Sequence, residues 1–195
     1  MPASDSELME RFGAGDDEAF RLLVERHQKP LTNFFYRRCF DRQMAQDCTQ
    51  EVFLRLVRHR GKWKPQAKFT TYMYRIAENL WIDRYRSKKA APPMTSLQVP
   101  AGDEGGELGG VLPGRSRLPE DGAADHELSI RIQAALGSLT EEQRSVFLLA
   151  ETKGLKYADI GEALGIPVGT VKSRMHAAIH KLRSLLEEEA DEHLR

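Results

Sequence analysis

Residues 98–127 hold seven glycines, three prolines and seven acidic residues against two basic ones. Glycine and proline oppose regular elements, and like charges keep a chain extended, so this stretch has little capacity to bury surface. A structureless segment of that length is uncommon inside one compact domain. It therefore divides a chain of 195 residues into two units, each small for a core of its own. The boundaries expected are a first domain over 5–91, a linker over 92–127, a second domain over 128–186 and an acidic tail over 187–195.

Both units read as helical. Leu8, Phe12, Phe20, Leu23 and Val24 recur at helical spacing, interrupted by Gly13 and Gly15. Pro30 fits the first turn of a further element carrying Leu31, Phe34 and Phe35. Residues 42–59 form an amphipathic helix with Ala45, Cys48, Val52 and Leu56 on one side. A polar, basic stretch from Arg60 to Lys68 leads to another helix over about 70–88, which Pro92 and Pro93 stop. In the second unit Thr140-Glu141-Glu142-Gln143 is a capping-box signature. Tyr157–Leu164 is a short helix, Gly165-Ile166-Pro167 a turn, and Val168–Leu186 a long final helix. No strand pattern competes, so the fold class is all-α: two small helical domains and a flexible linker.

The formal net charge is zero, which hides its distribution. Residues 1–97 carry 18 basic and 12 acidic side chains, and 128–186 carry 8 and 5. The linker and tail hold the compensating acid, so two basic modules are joined by a negative strap. Residues 55–89 are the extreme, with 11 basic side chains and 2 acidic. Trp63, Phe69, Tyr72, Tyr74, Trp81 and Tyr85 lie among them. Cations that neutralise phosphate, interleaved with rings that stack on bases, suit single-stranded nucleic acid. Core burial is the plainer reading for Trp63, Phe69, Trp81 and Ile82, whereas Tyr72 and Tyr85 are better candidates for exposure.

Tyr157–Leu182 carries the sharpest motif, a helix-turn-helix of winged-helix-like kind. Gly165 can take the positive φ that the corner needs. Ala158 and Ala163 are small enough to admit a close crossing, and Pro167 opens the second helix without losing a bond. A helix fits the major groove and reads it through its first turns. Lys172, Ser173, His176 and Ala177 are the base-facing candidates, with Thr170 and Arg174 as phosphate contacts. The alternative is a plain helical bundle whose polar face meets water.

Other chemistries find little support. Cys39 and Cys48, the only cysteines, read as reduced, buried thiols, because nine residues of continuous helix would hold them about 13 Å apart. No CxxC, clustered histidine or nucleotide loop points to a metal, a cofactor or an enzyme. His176 and His180 share a helical face, but no third ligand stands near. The N-terminus lacks a signal-peptide pattern and no apolar run is long enough to span a bilayer, so the expectation is a cytoplasmic protein. The outer edge of the 42–59 helix, with Asp47, Gln50, Glu51, Phe53 and Leu54, has the polar-plus-apolar character of a protein docking surface.

These segments resemble the sigma-70 family, and within it the extracytoplasmic-function (ECF) sigma factors. Asp47-Cys48-Thr49-Gln50-Glu51-Val52-Phe53-Leu54-Arg55-Leu56 is similar to the family's polymerase-binding helix. The run from Phe69 to Arg86 is similar to the segment that melts and reads the promoter −10 element. Leu139–Phe147 and Gly154–Ile160 resemble the start of region 4, and Gly165–Arg174 its −35-reading helix-turn-helix. The resemblance implies a subunit without chemistry of its own that recruits core RNA polymerase to promoter DNA. Asp47, Gln50, Glu51 and Leu54 would meet the clamp of the largest catalytic subunit. Lys62, Gln66, Lys68 and Tyr72, with Asn79, Asp83 and Arg84, would hold unwound −10 DNA. Thr170, Lys172, Ser173, Arg174, His176 and Ala177 would read −35 duplex, and the second domain would also touch the polymerase flap. The acidic linker would lie near the RNA path, and an anti-sigma factor is an expected partner. The chain departs from the family pattern at Ala177 and Ile179, where basic residues are frequent, and at Lys156, where a capping serine is frequent. A helix-turn-helix regulator independent of polymerase is the competing reading, but no heptad seam or dimer module accompanies it.

Overall fold

The computed structural model describes residues 3–64, 68–90, 123–152 and 155–192. Among the described residues eight helices follow one another: α1 (Asp5–Gly13), α2 (Asp17–Cys39), α3 (Arg42–Arg58), α4 (Phe69–Ala90), α5 (Ala123–Ser138), α6 (Glu141–Ala150), α7 (Tyr157–Leu164) and α8 (Val168–Glu192). No strand occurs among the described residues. None of their helices is long and apolar enough to cross a membrane, and they form no group of three or more His, Cys, Asp or Glu suited to a metal ion.

Local chemistry sets the first starts and stops. Ser4 and Glu7 cap α1 reciprocally, the Ser4 hydroxyl accepting from the Glu7 amide. The Asp16 carboxylate accepts from the Ala19 amide at 3.2 Å to open α2. The α2–α3 corner rests on Phe40, which adopts φ 52° and donates its amide to the Tyr36 carbonyl at 2.7 Å. A non-glycine residue there is strained by roughly 1 kcal/mol. Asp41 then caps α3 through the Met44 amide at 2.9 Å.

That corner revises the cysteine argument. Cys39 ends α2 and Cys48 lies inside α3, so no continuous helix holds them apart. Neither forms a disulfide among the described residues, and the Cys39 thiol donates to the Phe35 carbonyl at 3.2 Å. Burial pushes the Cys48 thiol up to about 11, which keeps it protonated and unreactive.

The second revision concerns Pro30. It starts no helix, because α2 runs through it from Asp17 to Cys39. One interior hydrogen bond is lost. The buried face of Leu23, His27, Leu31, Phe34 and Phe35 continues across it without a phase break. Burial of those side chains, worth about 1.5–3 kcal/mol for each large apolar one, outweighs the lost bond.

The long helices α2, α3 and α4 pack on α1 around Leu8, Phe12, Phe35, Val52, Leu56, Phe69, Met73 and Tyr74, all at most 2% exposed. In the second unit α6, α7 and α8 enclose Val146, Leu149, Ile160, Val171 and Ala178. The Thr140–Gln143 capping box is formed, with the Gln143 amide 3.3 Å from the Thr140 hydroxyl and the Thr140 amide 3.0 Å from the Gln143 side chain. Two helices outrun the expected limits. α5 begins at Ala123, ahead of residue 128, and α8 continues through the acidic run to Glu192. Glutamate and alanine are strong helix formers, and their propensity outweighs the unfavourable placing of acids at a helix C-terminus.

Candidate nucleic-acid interface

The helix-turn-helix is built from backbone constraints. Lys156 precedes α7 and cannot accept a bond from the first turn, so only half a box forms. Asp159 accepts from the Lys156 amide at 2.8 Å. Gly165 closes α7 at φ 65°. The small residue that the crossing requires is Gly161. It is buried, and a Cβ there would lie 2.8 Å from the Ile166 carbonyl oxygen. Ala163 is buried as well, but Ala158 is exposed and plays no part in the crossing. A glycine inside a short helix is the sequence signal for such close approach.

α8 buries Val171 and Ala178, with Met175 and Leu182 packed against the core. The opposite face exposes Lys172, Ser173, His176, Ala177 and His180, while Thr170 and Arg174 are half-buried at its edge. The structure thus brings the six −35 candidates into the first three turns of one helix. Ser173 donates its hydroxyl to the Thr170 carbonyl at 3.0 Å, so it must rotate before it can donate to a base. Arg174 borders a shallow hollow with Thr140, Glu142, Gln143, Ser173 and Ala177.

On α4 the outward stripe is Tyr72, Arg75, Asn79 and Asp83, spaced three and four residues apart on one face. Arg75 was absent from the sequence-derived set. It is exposed and its guanidinium lies 5.3 Å from the centre of the Tyr72 ring. The signal for it was its place three residues after Tyr72 and four before Asn79. Arg84 is exposed on the side nearer α3, where its charge acts on the Cys48 thiol. Lys62 is exposed beyond the turn that follows α3, and Gln66 lies outside the described residues. Trp63 is half-buried, Phe69 and Trp81 are buried, and Tyr85 is exposed. Ile82, read from sequence as core, is exposed instead. Tyr74 lies in the core, 1% exposed, with its phenol bonded to Thr152.

α3 shows a third stripe. Asp47, Gln50 and Leu54 are exposed and Glu51 is half-buried, opposite the buried row of Ala45, Cys48, Val52 and Leu56. Glu51 accepts from Arg55 at 3.0 Å and from Arg58 at 3.4 Å, and Asp47 accepts from Gln43 at 2.9 Å. Leu54 and Val57, 50% and 42% exposed, give the stripe the apolar centre that distinguishes a docking face from a solvated one.

Sequence reading could not show that the two units share a seam. Arg38 of α2, fully buried at its side chain, pairs with Glu78 of α4, itself 2% exposed there. The same guanidinium donates to the Ser145 hydroxyl at 2.7 Å and to Glu141 at 3.2 Å. The Trp81 indole donates to Glu141 at 2.6 Å. Lys68, at the head of α4, donates to Asp159 of α7 at 2.8 Å. Burial raises the Glu78 carboxyl above its ordinary value, against the opposing charge of Arg38. Burial also acts to raise Asp159, but its bonds from Lys68 and the Lys156 amide prevail and hold it below the usual carboxylate range.

Comparison with known proteins places this geometry. A family model described as Sigma-70 region 2 matches residues 23–91, and one described as Sigma-70, region 4 matches residues 129–182. The chain is 37% identical over 172 residues to the ECF RNA polymerase sigma factor SigW of Bacillus subtilis (strain 168), covering 88% of this chain and 91% of that protein. Its fold is similar to that of CnrH in complex with the cytosolic domain of CnrY, with a TM-score of 0.70 at 23% identity over 95% of this chain and 99% of that one. The sigma factor RpoE in complex with the anti-sigma factor NepR from Bartonella quintana also shares it. There the TM-score is 0.63 at 18% identity, over 86% of this chain and 96% of that one.

Proposed function

Because the chain belongs to the sigma-70 family, as an ECF RNA polymerase sigma factor that binds polymerase and promoter DNA and is not an enzyme, we propose that its three outward stripes divide that work. The α3 stripe of Asp47, Gln50, Glu51 and Leu54 docks on the clamp of the largest catalytic subunit. Its charged rim sets orientation and Leu54, with Val57, supplies the desolvated contact. Lys62, Gln66, Lys68 and Tyr72, with Asn79, Asp83 and Arg84, hold the unwound −10 strand, and Arg75 joins them from the same face of α4. Cations there neutralise phosphate, and the Tyr72 ring offers a stacking surface.

The face of α8 reads −35 duplex. Lys172 and His176 reach base edges, Thr170 and Arg174 hold phosphate, and Ala177 offers only an apolar contact. The domain containing α5–α8 also touches the polymerase flap. Residues 5–91 form the first functional unit and 128–186 the second, with α5 extending that unit back to Ala123. An anti-sigma factor is a further partner, as it is for the Bartonella quintana protein of similar fold.

The observation that supports this reading best is the helix-turn-helix corner, tightly packed at buried Gly161 and turned at positive φ by exposed Gly165, which presents the N-terminal turns of α8 to solvent opposite its core row. Pull-down of core polymerase followed by run-off transcription with mapped start sites tests it. A sigma factor converts core enzyme into a promoter-specific one. A free-standing regulator binds promoter DNA alone and starts no new transcript, which would overturn the proposal.

A further inference from the structure

Resting on that division of surfaces, we propose that Arg60 is a positioning residue for the −10 surface: it pins the turn that carries Lys62 to α1 and so fixes where Lys62 meets the unwound strand. Arg60 acts through Lys62 and not on the DNA itself.

The geometry begins with a tight turn. The Lys62 amide donates to the His59 carbonyl at 2.9 Å, closing a four-residue turn over Arg60 and Gly61. Gly61 adopts φ 76°, the left-handed backbone that glycine takes without strain in the third place of a turn. The Arg60 amide is held in its turn by the Val57 carbonyl at 3.0 Å. With both amides bonded, the turn moves as one piece, and whatever holds Arg60 also holds Lys62.

Three contacts hold the Arg60 side chain, all from the corner between α1 and α2. Its Nε donates to the Phe12 carbonyl at 2.7 Å, its guanidinium lies 4.5 Å from the centre of the Phe12 ring, and its Nη1 pairs with Asp17 at 3.1 Å. The backbones meet there as well, since a Cβ on Gly13 would stand 3.8 Å from the Gly61 Cα. The Asp17 side chain is 84% exposed, so the ion pair alone holds little. The carbonyl bond and the ring carry the pin. Phe12 is buried in the core and offers a firm base, and its carbonyl lies in the last turn of α1, where the helix dipole favours a cation. A planar guanidinium can donate, stack and pair at once, which a lysine ammonium cannot.

The far end of the same run is tied to α1 by a different route. Phe69, which opens α4, is buried and meets the His27 ring edge-on, with centres 5.2 Å apart. His27 is bonded to Asp5 of α1 at 2.8 Å. One short helix therefore holds both ends of the run that carries Lys62 and Lys68. Because Phe69 is held independently, release of Arg60 frees the Lys62 end and leaves the head of α4 in place. The role of Arg60 is thus separable from the stability of the domain.

The full-length protein tests this. Hydrogen exchange at the Lys62 amide, followed by NMR, reports the pin. Fluorescence anisotropy reports affinity for a labelled single-stranded DNA of mixed sequence, about 20 nucleotides long. Arg60→Ala speeds exchange at Lys62 about tenfold, as loss of a charge-assisted hydrogen bond implies, and weakens DNA binding by about three- to tenfold. Arg60→Lys weakens binding as much, because lysine keeps the charge and loses the fork. Lys62→Ala costs several-fold in wild type and little in the Arg60→Ala background, the non-additivity expected when one residue acts through the other. Affinity of Arg60→Ala for core polymerase is unchanged.

Unchanged exchange at Lys62 in a folded Arg60→Ala protein overturns the pin. Faster exchange with unchanged affinity overturns the positioning role. Full affinity in Arg60→Lys, or additive losses in the double variant, makes Arg60 a phosphate contact in its own right and also sinks the proposal. So does a parallel loss of core binding, which marks a general fault in the domain. If Arg60→Ala loses helicity by circular dichroism, Arg60→Lys decides on the same two readings. A wild-type protein that protects its Lys62 amide but binds no DNA defeats the −10 reading itself, and the exchange arm still shows whether Arg60 holds the turn.

Discussion

Replacing Gly161 by alanine isolates the contact on which the helix-turn-helix depends. Two effects of opposite sign compete. Inside α7, alanine is better than glycine by about 0.8–1 kcal/mol of helix propensity. Against this, the new Cβ stands 2.8 Å from the Ile166 carbonyl oxygen and 3.7 Å from the Val168 side chain. The oxygen belongs to the backbone of the turn and accepts nothing in exchange for moving. The Ile166 amide is itself held by the Gly161 carbonyl at 2.9 Å, so the turn cannot back away without loosening that bond. Overpacking of this kind costs about 1–3 kcal/mol, which cancels the propensity gain and leaves a net loss of up to about 2 kcal/mol. Gly169→Ala supplies the control. It lies in the first turn of α8, at ordinary φ, with nothing within 4 Å of an added Cβ, so it should gain a few tenths to about 1 kcal/mol. Urea unfolding followed by helical ellipticity measures both. The steric reasoning is refuted if Gly161→Ala stabilises the protein as Gly169→Ala does.

Three further outcomes follow from named contacts. Asp5 accepts from His27 at 2.8 Å and from Arg26; burial acts to raise its carboxyl, but those partners prevail and hold it below the usual carboxylate range. A depressed carboxyl stabilises the fold above its unfolded value and loses that contribution as pH falls through the folded one. Asp5→Asn should therefore cost about 1–2 kcal/mol at pH 7, with the two proteins converging in strongly acidic solution; a constant gap across the titration by chemical denaturation would contradict this. Thr140→Ala removes the acceptor of the Gln143 amide and should cost about 1 kcal/mol, measured by thermal melting, whereas an unchanged midpoint would mean that the cap is idle. Lys172→Ala should lower transcription from promoters that require a −35 element by roughly 1–3 kcal/mol of lost contact, with core binding intact. Equal output from promoters with and without that element, unchanged from wild type, would remove Lys172 from the reading set.

Much was legible along the chain because its cues are local. The capping box at Thr140, the αL corner at Gly165 and the alternation of buried and exposed rows on α3 and α8 each depend on residues within a turn or two of one another. The candidate −35 set emerged for that reason as one helix face. The errors arose where a local rule met a distant partner. Pro30 reads as a start, yet a continuous buried face carries α2 through it. Cys39 and Cys48 read as one helix, yet Phe40 accepts a left-handed backbone and turns the chain between them. Ile82 reads as core by type, yet α4 rotates it outward because Phe69, Met73, Tyr74, Ala77 and Trp81 occupy the buried side.

What the amino-acid order determined alone was the helical class, the division into two basic units and the faces they turn outward. Periodicity, capping and composition act over a few residues and need no knowledge of the rest. Only the tertiary structure decided that Arg38 meets Glu78, Ser145 and Glu141, and that Asp159 meets Lys68. Those partners are brought together from 40 to 107 positions apart. A buried charge is tolerable only where another element supplies its counter-charge and hydrogen bonds. No single segment carries the information for that pairing.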